Sequence, residues 1–277
     1  MDAVGPIERG TPPAGLRCPP SKVVSAEWQF MSRYITSFYP ESRFGGFTDV
    51  DGTIAFYSRV NALLAAPSVV LDFGCGRGSY QQDAVPLRLQ LRVLKGKVAR
   101  VIGLDVDPAA QENPFVDDFR LLRPGQAWPV EAGSVDLVLS DYVLEHLPDP
   151  EQFFAESKRA LRQGGNLCIR TPNVLSYFGV ISSMVPTKHR DRLLGVAQPD
   201  REEAFPTLYR CNTISRLRRM MARHGFDHVV YGYEAEPSYL NFSKFFYALG
   251  VLHQKLAPEM FRLNIFAFGR RDSGAQT

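Results

Sequence analysis

The sequence predicts a doubly wound α/β fold, with a mostly parallel, seven-stranded Rossmann-like sheet and helices on both faces. Three observations carry this. Short, continuously apolar runs recur along the chain, as buried parallel strands require. Helical periodicity fills the intervals between them. The first apolar run ends in a glycine-rich turn, the position where open α/β sheets bind ligands. With 277 residues, 45% hydrophobic and 22% charged, the chain can bury a sizeable core without disulfide or metal staples.

The elements follow in order. Residues 1–22 are rich in Pro and Gly, lack an apolar period and are expected to form a flexible tail. Residues 23–66 are expected to form N-terminal helices. Trp28, Met31, Ile35 and Phe38 recur at helical spacing between Ser25 and about Tyr39. Phe44-Gly45-Gly46-Phe47 reads as a turn. Ile54, Tyr57, Val60, Asn61 and Leu64 then share one face of a second helix, which Pro67 ends.

From residue 67 to 277 strands and helices alternate. Val69–Phe73, Val101–Leu104, Val135–Leu139 and Asn166–Ile169 read as strands. Pro86–Lys97 reads as an extended helix or loop, and Glu151–Arg162 as a helix closed by the Gln163-Gly164-Gly165 turn. A lid is expected over 174–212, then a helix over Thr213–His224, and strands over Phe226–Tyr233 and Leu263–Phe268. Between those two strands lies a helix-like insertion, 236–261, with Tyr239, Phe242, Phe245, Phe246, Leu249, Val251 and Leu252. Three roles are open to it: a cap on an acceptor pocket, a homodimer interface or contact with a membrane surface. A cap or an interface is favoured, because basic residues are sparse within it.

Composition excludes several classes. A formal charge of +3 is too small to argue for a nucleic-acid partner. Cys18, Cys75, Cys168 and Cys211 form no C-x-x-C pair, which argues against a zinc site or a disulfide framework and suits a reducing cytosol. The first residues lack the basic patch and apolar run of a signal peptide, and no run of about 18 apolar residues predicts a transmembrane helix. A cytoplasmic protein with no bound metal is expected.

The chemical signal lies in Asp72-Phe73-Gly74-Cys75-Gly76-Arg77-Gly78. Alternate glycines permit tight turning and close approach of a ligand to the backbone. The spacing is G-x-G-x-G, not the G-x-G-x-x-G of dinucleotide folds. Asp72 would repel a pyrophosphate and attract the ammonium of a methionine moiety. Asp105 follows the second strand, where a carboxylate can accept both hydroxyls of a ribose. Asp107, just before Pro108, reads as a helix cap.

The segments VLDFGCGRGSY, VIGLDVDP and SVDLVLSDYVLEHLPDPEQFFAESKRALRQGGNLCIRTPN, in this order, resemble the class I S-adenosylmethionine-dependent methyltransferases of small-molecule type. The resemblance covers about Leu71–Asn173. It implies S-adenosyl-L-methionine as cofactor, with Asp72 on the methionine part and the backbone of Gly74, Cys75 and Gly76 beside the cofactor. It further implies Asp105 on the ribose, Val106 on the adenine ring and Asp118, or its neighbour Asp117, on the adenine amino group. Ser140 or Asp141 would lie beside the sulfonium.

Methyl transfer from a sulfonium releases a neutral leaving group, so positioning can supply much of the rate. A hydroxyl acceptor benefits from a base. His146, just past the fourth strand, is the leading candidate, because an imidazole ordinarily titrates near 6.5; the competing reading is a helix-packing histidine. Tyr142 is expected to shape the methyl site. His189 falls in a Lys-His-Arg-Asp-Arg surface cluster. The acceptor is expected to be a small molecule or a lipid- or sugar-linked group, methylated at oxygen. The alternatives are a non-catalytic cofactor-binding protein and a dinucleotide-dependent oxidoreductase, which Asp72 disfavours.

Overall fold

The first strand shows how the sheet sorts its side chains. Successive residues of a strand point to opposite faces. In β1 (Val69–Phe73) Leu71 and Phe73 therefore enter one hydrophobic cluster and Val70 enters another. The same alternation runs through β4 (Val135–Asp141) and β5 (Leu161–Pro172), where Leu137, Leu139 and Cys168 share the cluster of Val70. The computed structural model describes residues 34–177, 179 and 206–272. The tail over 1–22, most of the helix over Ser25–Tyr39, most of the lid over 174–212 and the His189 cluster lie outside the described residues.

Seven strands form one sheet in the order β3-β2-β1-β4-β5-β7-β6. The others are β2 (Arg100–Asp105), β3 (Asp118–Leu121), β6 (Phe226–Tyr233) and β7 (Asn264–Arg271). β7 runs antiparallel to both its neighbours, and all other pairings are parallel. The expected seven strands are thus present. β3, a four-residue strand at the sheet's outer edge, lacks the apolar run that marks the rest.

Helices cover both faces. α1 (Ile35–Phe38) is a single turn. α2 (Gly52–Ala62) starts where the Asp51 carboxylate accepts from the amides of Thr53 and Ile54, each at 2.9 Å, supplying partners for orphan donors of the first turn. It lays Phe56, Tyr57 and Val60 on the face of Val70. α3 (Pro86–Arg92) lies within the segment expected to be helix or loop. On the other face α4 (Pro150–Ala160) and α5 (Ile214–Arg223) contribute Phe153, Phe154, Leu217 and Met221. Each such buried side chain stabilises the fold by about 1.5–3 kcal/mol relative to its exposure.

One boundary differs from expectation. α4 stops at Ala160, and the Gly164 turn lies inside β5, not at the end of the helix. The β4–β5 register jumps from Val135↔Leu161 to Leu137↔Asn166, and Gly164, at φ 73, absorbs the irregularity.

Strand order reverses between β1 and β4, which creates a crevice at the carboxyl edge of the sheet. β6 ends and β7 begins at that same edge, since Tyr233 pairs with Asn264. The connection between them, which holds α6 (Lys244–Leu256), leaves from the ligand-facing edge. Its inner face places Tyr247 and Val251 against Tyr39, Phe38 and Ile35. No helix among the described residues is long and apolar enough to cross a membrane.

Candidate cofactor and acceptor site

At the end of β1 the chain turns through Gly74, at φ 72, and Gly76, at φ 55. Side chains strain in this left-handed region. A Cβ on Gly74 would also approach Val143 to 2.4 Å, so this position is closed to any other residue. At Gly76 a Cβ would meet nothing within 4 Å, and the backbone there stands open to a ligand.

Asp105, buried at the end of β2, holds this turn. Its Oδ2 accepts from the Gly76 amide and its Oδ1 from the Asp107 amide, both at 2.9 Å. A carboxylate has about four acceptor sites, so two remain for ligand hydroxyls. Val106 follows and is 39% exposed, an apolar surface beside the acid. Asp107 caps the next turn by accepting from the Ala109 amide and pairs with Arg77 at 2.8 Å, as its position before Pro108 predicts.

Asp72, Asp141 and Arg170 continue the rows of the α2-facing side chains, two residues beyond Val70, Leu139 and Cys168. Arg170 grips Asp141 with two parallel bonds, at 2.6 Å from Nε and 2.7 Å from Nη2. The Tyr57 hydroxyl donates to the same carboxylate at 2.9 Å, and the Arg92 guanidinium lies 3.9 Å away. Burial alone would raise the Asp141 carboxyl, but the charge and hydrogen bonds of Arg170, with Arg92 and Tyr57, hold it below the usual carboxylate range. Asp72 has the opposite fate. Burial and the neighbouring Asp141 and Asp105 charges push it up to about 7, although Arg92 pulls it down. A buried carboxyl with raised pKa beside other acids is poised to receive a cation.

Ser140, at the end of β4, is fully buried opposite Phe73, and its Oγ has no hydrogen-bond partner among the described residues. Tyr142 has the left-handed φ of 57, costly for an aromatic residue and a mark of a constrained site. Its hydroxyl donates to Asn264 Oδ1 at 2.8 Å, and Arg170 stacks over its ring at 4.8 Å.

His146 lies in the short turn Leu144–His146. Its Nδ1 is 3.2 Å from the Pro206 carbonyl oxygen. A carbonyl only accepts, so Nδ1 is the donor in this contact and Nε2 is the ring nitrogen left for proton exchange. Nε2 is 4.0 Å from Glu145 Oε1, and the buried Glu145 also accepts from Thr171 Oγ1 at 3.1 Å.

The structure does not bring Asp118 to this group. It opens β3 opposite Ile102, three residues before Leu121, the strand's end beside Asp105. Its carboxylate is engaged by Arg100 at 2.7 Å and Arg120 at 2.9 Å. Asp117 accepts from the Val101 amide at 2.8 Å. Both acids sit at the opening end of β3. Tyr57, Arg92 and Arg170 escape the sequence reading of the site. Only Tyr57 is named from the sequence, as a helix-face residue; the structure sets Arg170 in register with Asp141.

Residues 50–231 match a methyltransferase-domain family. The chain belongs to the class I S-adenosylmethionine-dependent methyltransferases. It is 36% identical over 115 residues to a probable S-adenosylmethionine-dependent methyltransferase of Mycolicibacterium smegmatis, covering 39% of each chain. It is 32% identical over 109 residues to a ubiquinone biosynthesis O-methyltransferase of Xanthomonas oryzae, covering 38% of this chain and 43% of that one. The chain thus spans about two-fifths of the length of these curated relatives. The fold is shared with a solved methyltransferase from a complex with the Haloferax volcanii Trm112 activator, at TM-score 0.51 and 14% identity, covering 90% of this chain and 99% of that one. Among the described residues no group of three metal-ligating side chains comes together.

Proposed function

We propose that this methyltransferase transfers a methyl group from S-adenosylmethionine to a hydroxyl of a small or lipid- or sugar-linked acceptor. The observation that carries the cofactor half is the pairing of Asp72, raised toward 7, with the Gly76 backbone that Asp105 holds open. The donor set fits the group. Asp72 would take the ammonium, Asp105 the ribose hydroxyls and Val106 the adenine ring, while Ser140 or Asp141 would face the methionine part. Asp118 is left out of this set, because its carboxylate is committed to two arginines. The cofactor supplies an electrophilic methyl group on sulfur.

His146 is the base of this reading. Its Nε2 lone pair takes the acceptor's proton as the acceptor oxygen attacks, and Glu145 steadies the imidazolium that forms. Tyr142 shapes the methyl site, with its hydroxyl anchored on Asn264. The Xanthomonas relative named for O-methylation supports the choice of oxygen.

Calorimetry tests the cofactor assignment. S-adenosylmethionine or its demethylated product should bind in the micromolar range, about −8 kcal/mol. Equal affinity for NAD, or no binding of either adenosyl ligand, would sink it.

A further inference from the structure

The outer face of α6 carries a stripe of apolar side chains that enters none of the hydrophobic clusters among the described residues. Phe245, Leu249, Leu252 and Leu256 recur at spacings of four, three and four, one line along a helix. Phe245 is 68% exposed and Leu256 71%, and Phe242 and Phe246 extend the stripe beside them. Monomeric soluble proteins rarely present so continuous an apolar surface without using it. The opposite face of the same helix, through Tyr247 and Val251, is already packed.

We infer that this stripe docks on an anionic phospholipid bilayer, and that the acceptor is an amphiphile held in that bilayer. Three features select this occupant. Lys244 and Lys255, both exposed, bracket the stripe, and the helix contains no Asp or Glu. An apolar face flanked by cations and free of acids matches an anionic lipid surface. The basic residues of the insertion are sparse, but on the helix itself they meet no acid; Glu236 and Glu259 lie outside it. The same feature disfavours a second copy of the chain. Antiparallel pairing of two such helices would set Lys244 beside the partner helix's Lys255, with no acid of the helix to offset them.

The third feature is place. α6 lies in the β6–β7 connection at the carboxyl edge, where acceptors meet the cofactor. Its His253 lies 3.5 Å from Glu234, which accepts from the Leu263 amide, and Asn264 follows to hold the Tyr142 hydroxyl. The apolar stripe is thus carried by the same connection that leads to the methyl site. The class of acceptor rests on the reading of this edge as the methyl-transfer site; the docking does not.

Vesicle flotation of the full chain tests the docking. One vesicle set is pure phosphatidylcholine, and the other contains about one-third phosphatidylglycerol. The wild type should float with the anionic set and bind the neutral set at least about fivefold more weakly, since each lysine near an anionic surface is worth about that factor. Phe245→Ser with Leu252→Ser should lower binding to both sets at least about tenfold, with an unchanged melting temperature. Lys244→Glu with Lys255→Glu should abolish the preference for anionic lipid and leave neutral binding unchanged. No flotation, flotation that survives the Phe245 and Leu252 changes, or equal binding to both sets would overturn the inference. So would a dimer in sedimentation that the same two changes dissociate. Calorimetry with the adenosyl ligands on the same samples reports separately on the methyl-transfer reading.

Discussion

Asp105 at the β1–β2 edge rests on backbone amides, whereas Asp141 at the β4–β5 edge rests on side chains. Asp105 accepts from the amides of Gly76 and Asp107. Asp141 accepts from Arg170 and Tyr57, which lie 29 and 84 residues away in sequence. An amide-held acid is specified by turns, and glycine spacing writes turns directly into the sequence. A side-chain-held acid depends on tertiary pairing of buried charges, where loss of one partner leaves the other uncompensated. The first arrangement suits a cofactor common to a whole family. The second needs α2, β4 and β5 to meet at one carboxylate.

The largest expected effect would set the two regions furthest apart. His146→Ala should lower turnover by about 10²–10⁴ and leave cofactor affinity near wild type, because the base acts on the acceptor alone. Kinetics and calorimetry on the same preparation, with melting curves as control, check it. A stable variant with near-normal turnover would remove His146 from the chemistry and leave it as the residue that pins Pro206.

The next effect falls on the other side of the comparison. Asp105→Ala should weaken cofactor binding by about 1.5–3 kcal/mol for each charge-assisted bond lost, since it also frees the Gly76 turn. Calorimetric titration with the demethylated product measures this directly. Unchanged affinity would transfer the ribose to Asp107, which the structure commits to the Ala109 amide and Arg77.

The same contrast explains what could be read before the structure. The strands flanking the crevice and the acids Asp72 and Asp105 were legible, because apolar runs and glycine turns are local signals. β3 was not, because Asp118–Leu121 is an edge strand of mixed polarity. The adenine contact at Asp118 is what the family resemblance implies, and the strand register sets that residue three positions before the end of β3. Tyr57 was legible as a helix-face residue, but its hydroxyl partner 84 residues on was not. No periodicity encodes the meeting of Arg92, Asp141 and Arg170, since each belongs to a different element.

The smallest effect probes the difference between Asp72 and Asp141 themselves. Burial and like charge hold Asp72 up at about 7, whereas Arg170 keeps Asp141 ionised. A bound ammonium favours the Asp72 carboxylate, so protonation of that group competes with cofactor binding. Affinity should therefore fall by up to about tenfold per pH unit below 7 and level off above about 8. Stability of the free protein has the opposite slope. A raised folded pKa means that the folded chain binds more protons than the unfolded chain between about 4 and 7, so this group's contribution is lost as pH rises through that window. Glu234 and Glu236 are also pushed up to about 7 by burial, so a pH profile of activity alone would not single out Asp72. Calorimetry of the adenosyl ligand across pH 5.5–8.5 on Asp72→Asn does so. The variant should bind weakly at every pH with a flat profile; a slope that persists in Asp72→Asn would assign the proton to another group and detach Asp72 from the ammonium.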